Sequence, residues 1–276
     1  MPTDIPSFLL KRVHRADLDY IHRRAGDADI YFVANRATNF MSTECLFKVG
    51  GKVPELWNAV TGERQFADAY SVAEGTNGGI TSVQLNFAPC GSWFVIFQKP
   101  TTEHTKHTKA DTALKEVADL SIGWTVWFDP KWGPESAAVF DSLASWTEHS
   151  NPRIKFYSGT ANYTKTFELP PRNTQHATRL FLDLGDVREL AEVKVNGKSC
   201  GVTWTPPFRV DITDAVKPGA NQLEIEVVNF WPNRIIGDAK LPKEQRLTKT
   251  NVRKLTSENQ LMKSGLFGPV RILAGE

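Results

Sequence analysis

The feature that most constrains this chain is a hydrophobic period of two. In Asn221-Gln222-Leu223-Glu224-Ile225-Glu226-Val227-Val228, the residues Leu223, Ile225 and Val227 fall on one face and the glutamates on the other. That is the pattern of a half-buried strand. Further strands are predicted at Ala28–Asn35, Thr43–Val49, Ile80–Phe87, Ser92–Phe97, Thr178–Leu184, Leu190–Val195 and Phe208–Ile212. Turn signals divide them at Gly50-Gly51, Val60–Glu63, Asn77-Gly78-Gly79 and Asn196-Gly197, the last a two-residue hairpin signal. Short strands separated by turns predict an all-β chain of sandwich type rather than an α/β fold. A short helix is expected around Glu135–Leu143, and a strand pair or a strand bulged at Gly159 over Lys155–Phe167.

With 276 residues, 41% of them hydrophobic, the chain has material for one or two cores. Residues 100–111 carry no apolar pattern and read as a linker or long exposed loop, dividing the chain into 1–110 and 111–276. His104 and His107 stand three apart, a spacing that suits a metal on a helix, but the threonines around them argue against a helix. A net charge of +2 without a long basic run gives no case for nucleic acid or an acidic membrane as partner. The basic residues near Ile21-His22-Arg23-Arg24 read as a solvated face, a strand end or the lining of a groove. No run of about 18 apolar residues marks a membrane span. The first residues lack the basic-then-apolar order of a signal peptide. Location therefore stays open, periplasmic or secreted if the chain is part of a longer protein. Cys45, Cys90 and Cys200 form no C-x-x-C pair and read as separate thiols, with a Cys45–Cys90 bridge as the alternative.

After the strand at 221–228 comes Asn229-Phe230-Trp231-Pro232-Asn233-Arg234-Ile235-Ile236-Gly237-Asp238. An indole, amides, a guanidinium and a carboxylate in one presumed loop can meet the hydroxyls and C–H faces of a sugar. Trp231, Asn233, Arg234 and Asp238 are the candidate contacts there. Trp204, ahead of the stiff Pro206-Pro207, and Tyr157, beside Ser158-Gly159, complete the sugar-binding set. The competing reading has Trp231 capping the core while Arg234 and Asp238 pair locally. The polar segment Lys240–Asn259 reads as a solvated run or as a flap over the Trp231 loop.

In order along the second half stand Ser158-Gly159-Thr160-Ala161-Asn162-Tyr163, Val195-Asn196-Gly197, Trp204-Thr205-Pro206-Pro207-Phe208-Arg209, Gly219-Ala220-Asn221, Asn229–Arg234 and Ser264-Gly265-Leu266-Phe267-Gly268-Pro269-Val270. Together they resemble the galactose-binding-like jelly roll of bacterial glycoside hydrolases. The α-L-rhamnosidase-like family is nearest, and a similar domain occurs in the β-galactosidase/β-glucuronidase family. The likeness spans residues 122–276. The first half, through Ile21–Arg24, Asp27–Asn35 and Pro54–Asn58, resembles the β-sandwich beside that jelly roll in rhamnosidase-like enzymes. The resemblance implies two β-sandwiches with carbohydrate as partner.

In those families the catalytic carboxylates sit on a (β/α)-barrel of about 250 residues, and this sequence carries no such pattern. The expected role is a carbohydrate-binding or accessory portion, with a catalytic barrel or a second copy of the chain as further partners. A self-sufficient glycosidase and a protein-docking module are the alternatives. A glycosidase needs two carboxylates about 5 to 10 Å apart; Asp238 and Glu244 are the weak candidates, with Glu258, Asp129, Glu135 and Asp211 behind them. No cofactor is implied. A structural calcium of the kind jelly-roll sugar modules carry would draw on Asp183, Asp186 and Asp211, whose spacing is not that of a calcium loop.

Overall fold

The structure is a computed structural model. It describes residues 8–10, 17–67, 70–73, 79–100, 114–170, 179–252 and 254–275. The chain divides into two compact units, Met1–Ala110 and Asp111–Glu276. The stretch holding His104 and His107 lies outside the described residues, as do Asn77 and Gly78.

The first unit contains β1 (Phe8–Leu10), β2 (Leu18–Ala25), β3 (Ala28–Asn35), β4 (Met41–Phe47), β5 (Val53–Asn58), β6 (Arg64–Phe66), β7 (Tyr70–Ala73), β8 (Ile80–Phe87) and β9 (Ser92–Gln98). They form a sheet ordered β1-β4-β8-β7 and another ordered β2-β3-β9-β5-β6. One core joins the sheets, with Tyr31, Val33, Leu56, Val95 and Phe97 from one and Cys45, Phe47, Val83, Leu85 and Phe87 from the other. Alternation along β3 buries Asp29, Tyr31, Val33 and Asn35. Asp29 thereby brings a carboxylate to the core side, where an ammonium, a guanidinium and an imidazole meet it. Lys52 Nζ donates at 2.6 Å, Arg24 Nε at 2.8 Å, and His22 Nε2 lies 3.0 Å away. Register supplies two of these contacts: Arg24 stands opposite Asp29, and His22 opposite Tyr31, whose ring it stacks on at 4.1 Å. The basic run at 21–24 is thus a strand that neutralises a buried acid.

The second unit contains β10 (Lys115–Asp119), β11 (Ile122–Phe128), β12 (Ala138–Ser142), α1 (Pro152–Lys155), β13 (Thr160–Leu169), β14 (Arg179–Asp183), β15 (Asp186–Arg188), β16 (Leu190–Val195), β17 (Lys198–Thr203), β18 (Arg209–Asp211), β19 (Gly219–Val228), α2 (Pro232–Ala239), β20 (Gly265–Gly268) and β21 (Arg271–Gly275). Six strands form the sheet β12-β11-β13-β19-β16-β17, and four form β10-β21-β14-β18. A core of Trp124, Val126, Trp146, Tyr163, Leu182, Val193, Ile225 and Ile272, among others, lies between them. The fold is all-β, two β-sandwiches. β19 is the axis of the second: it pairs over its whole length with β13, from Thr160↔Val228 to Leu169↔Gly219, and with β16 on its other side. The Asn196-Gly197 turn joins β16 to β17 with φ of 52° and 77°, the double positive φ a two-residue hairpin needs.

Several expectations are corrected. The helix expected at Glu135–Leu143 is the edge strand β12, because Ala138–Ser142 pairs with β11 and buries only Phe140. Lys155–Phe167 is no strand pair; it is the end of α1, a turn through Gly159, and one strand. The stretch after β19, read as a loop, is the helix α2. Cys45 and Cys90 are unbonded; Cys45 is buried, and burial pushes its thiol up to about 12. Asp183, Asp186 and Asp211 each pair with an arginine, Arg209 at 2.6 Å, Arg188 at 3.1 Å and Arg179 at 2.8 Å. No group of three metal-ligating side chains occurs among the described residues.

Burial pushes the Asp29 carboxyl up, but the hydrogen bonds from Lys52, Arg24 and His22 outweigh it and hold it below its ordinary value of 3.8. A lowered folded value means stability that is complete above the ordinary value and lost as pH falls through the lowered one. Asp29→Asn is expected to destabilise the first unit by about 2–4 kcal/mol at neutral pH, since it leaves cations without their counter-charge. Urea titrations of both proteins at a series of pH values check this: the gap should shrink below about pH 4.

Candidate functional site

The site begins where β19 ends. Pro232 opens α2 at a position where a missing N–H costs nothing, and Trp231 precedes it as cap, its carbonyl accepting from Arg234 N and Ile235 N. The helix buries Asn233, Arg234, Ile236, Gly237 and Asp238. Its hidden face is therefore largely polar. Every such group needs an internal partner, and most have one. Asn233 donates to Met262 O at 2.7 Å and Ser264 Oγ at 2.9 Å, and accepts from Met262 N at 2.8 Å. Asn229 donates to Tyr157 O at 2.9 Å and Ser264 Oγ at 3.0 Å, and accepts from Gly159 N at 2.9 Å. Gly237 is required for packing, since a Cβ there would stand 2.6 Å from Phe156 Cβ.

Arg234 and Asp238, one turn apart, form a buried ion pair, Nη2 to Oδ1 at 2.9 Å. The other Asp238 oxygen accepts from Thr248 N at 2.7 Å and Thr248 Oγ1 at 2.5 Å. The pair thereby ties the strap 247–250 to the helix. Together they enclose a groove of about 390 Å³ lined by Trp132, Trp231, Ile235, Leu247, Thr248, Lys249 and Thr250. The indoles of Trp132 and Trp231 meet edge to face at 6.4 Å and 88°, so they present two walls at a right angle. The Trp231 side chain is 57% exposed.

The sequence-derived candidates separate on this geometry. Trp231 lines the groove. Asn233, Arg234 and Asp238 are buried in α2 rather than presented on a loop; Asn233 binds Met262 and Ser264, and Asp238 holds the strap through Thr248. Tyr157 is in the core: its hydroxyl donates to Thr160 O at 2.7 Å and accepts from Asp129 N, its ring packs edge to face on Phe128 and Trp146, and burial pushes its pKa up. Trp204 is exposed, on the loop after β17, but does not line the groove. Glu244 is exposed in a single helical turn, Lys243–Gln245. Asp238 is committed to Arg234 and Thr248. Sequence reasoning missed Trp132 as a wall, although a Trp-Gly-Pro turn was visible at 132–134.

Residues 3–71 match the family described as alpha-L-rhamnosidase, and residues 147–261 match the glycosyl hydrolase 2 galactose-binding domain-like family. A rhamnosidase structure from Novosphingobium sp. PP1Y superposes on 98% of the chain with a TM-score of 0.85 and 34% identity. The chain is rhamnosidase-like. It spans 25% of the length of that rhamnosidase. A protein of Formosa agariphila provisionally named a beta-glucuronidase is 39% identical over 187 residues, 58% of this rhamnosidase-like chain and 16% of its own length. None of the described residues forms a helix long and apolar enough to cross a membrane.

If the ion pair fixes the strap, Asp238→Ala should cost about 3–5 kcal/mol, because it strands a buried guanidinium. Thr248→Val should cost only about 1 kcal/mol, and speed proteolytic cleavage within 247–250 of an otherwise folded protein. Urea unfolding and limited proteolysis measure the two effects.

Proposed function

We propose that this chain is a carbohydrate-recognising accessory portion of a rhamnosidase-like glycoside hydrolase. The observation that carries the reading is the groove, in which two perpendicular indoles stand beside the hydroxyls of Thr248 and Thr250. Indole faces accept the C–H face of a pyranose, and hydroxyls fix its orientation. The two threonines differ in what they offer. Thr248 Oγ1 gives its proton to Asp238 and is left as an acceptor. Thr250 Oγ1 accepts from Val252 N and keeps its proton to donate. A sugar diol has the complementary donor and acceptor. Catalysis is not assigned to this chain: the described residues hold no (β/α)-barrel, and Asp238 is internally paired.

A second reading, protein docking, draws on the outer face of the six-stranded sheet. There Trp127, Asn162, Glu226, Glu192 and Val202 form one row across β11, β13, β19, β16 and β17. Trp127 and Val202 are exposed in that row, and Val139 in the next. An exposed indole with an exposed valine, Val139, in the adjoining row is a surface suited to a protein partner.

The full chain run through gels containing polysaccharide, alongside assays on aryl α-L-rhamnoside, β-galactoside and β-glucoside, separates the readings. Retardation without glycoside turnover, lost in Trp231→Ala, is the expected result. Turnover that falls in Asp238→Asn or Glu244→Gln would instead make the chain an enzyme. No retardation on any polysaccharide, with self-association abolished by Trp127→Glu, would favour docking.

A further inference from the structure

The groove is chemically one-sided. Among its lining residues the only charged side chain is Lys249, and no carboxylate is present. A second ammonium lies at its wall: Lys131 Nζ stands 4.7 Å from the centre of the Trp132 ring. Asp129 accepts the backbone N–H of Lys131, not its ammonium. Neither lysine takes part in an ion pair among the described residues. The one carboxylate that touches the strap, Asp238, is neutralised beneath the floor by Arg234. The carboxylate of Asp238 is thus turned inward, and the ammonium groups of Lys249 and Lys131 are left at the rim.

We propose that the groove selects an acidic sugar, a uronate residue within an oligosaccharide, with Lys249 and Lys131 as the groups that recognise its carboxylate. The inference rests on carbohydrate recognition at this groove and deepens it. The division of labour follows from the chemistry. The Trp231 face takes the apolar side of the ring, a contact that a neutral hexose makes equally well. The C6 carboxylate is what distinguishes a uronate from its neutral counterpart, and only the ammonium groups respond to it. At an exposed rim each such contact is modest, and salt weakens it. Preference for the acid is therefore expected to depend on ionic strength, and stacking is not.

The test is titration calorimetry of the full chain with tetragalacturonate and with its carboxyl-reduced counterpart, at low and at raised salt. The expected result is binding about tenfold tighter for the acid at low salt, with the advantage shrinking as salt rises. Lys249→Ala, an exposed substitution that leaves the core untouched, should weaken the acid about fivefold and leave the neutral ligand unchanged. Lys131→Ala should act in the same direction, and Trp231→Ala should weaken both ligands. Equal binding of the two ligands, or equal loss of both in Lys249→Ala, would overturn the acidic preference while leaving carbohydrate recognition in place. Failure of both to bind the folded chain would overturn the recognition reading and this inference with it.

Discussion

The second unit depends on a buried polar knot at the end of β19. Ser264 Oγ receives the amides of both Asn229 and Asn233, while its backbone N–H donates to Ser145 Oγ at 3.2 Å. Asn229 also clamps the turn at Tyr157 and Gly159 that leads into β13. Segments from four distant parts of the sequence thus converge on two amides and a hydroxyl. Away from water, each of these polar groups is costly without its partner. The knot therefore specifies where α2 leaves the sheet, and with it where Trp231 points.

The end of the second unit is built outward from that knot in layers. The amides fix the helix; the helix places Arg234 and Asp238 one turn apart; the ion pair holds Thr248; Thr248 sets the strap against Trp231. Only the outermost layer is open to solvent. The charged residues that looked available in the sequence are spent on the inner layers, and the groove's own charge comes from Lys249 and Lys131. The first unit applies the same rule: Asp29, carried inward by strand alternation, is matched by His22, Arg24 and Lys52.

The β architecture was legible because it rests on local rules. Ala28–Asn35 and Ile80–Phe87 are strands with the bounds their alternation predicts, and Asn196-Gly197 turns as its left-handed preference requires. α2 was not legible. Helices are found by an apolar stripe, and this one buries amides, a guanidinium and a carboxylate, so Asn233, Arg234 and Asp238 resembled a ligand-binding loop. β12 was misread for the complementary reason: pairing with β11 overrode the local preference of a short apolar segment.

The sequence by itself determined the strands, the hairpin turns and the ordered motifs that resemble a rhamnosidase-like jelly roll, because each depends on neighbouring residues only. Tertiary structure alone decided which polar groups are buried and which are left exposed. Trp132 and Trp231 lie far apart in the chain, as do Asn233 and Ser264, and no local signal says that the first pair makes a groove while the second seals its floor. The reason is physical: burial belongs to the packed molecule, and a buried charge must be neutralised by whatever the fold brings to it.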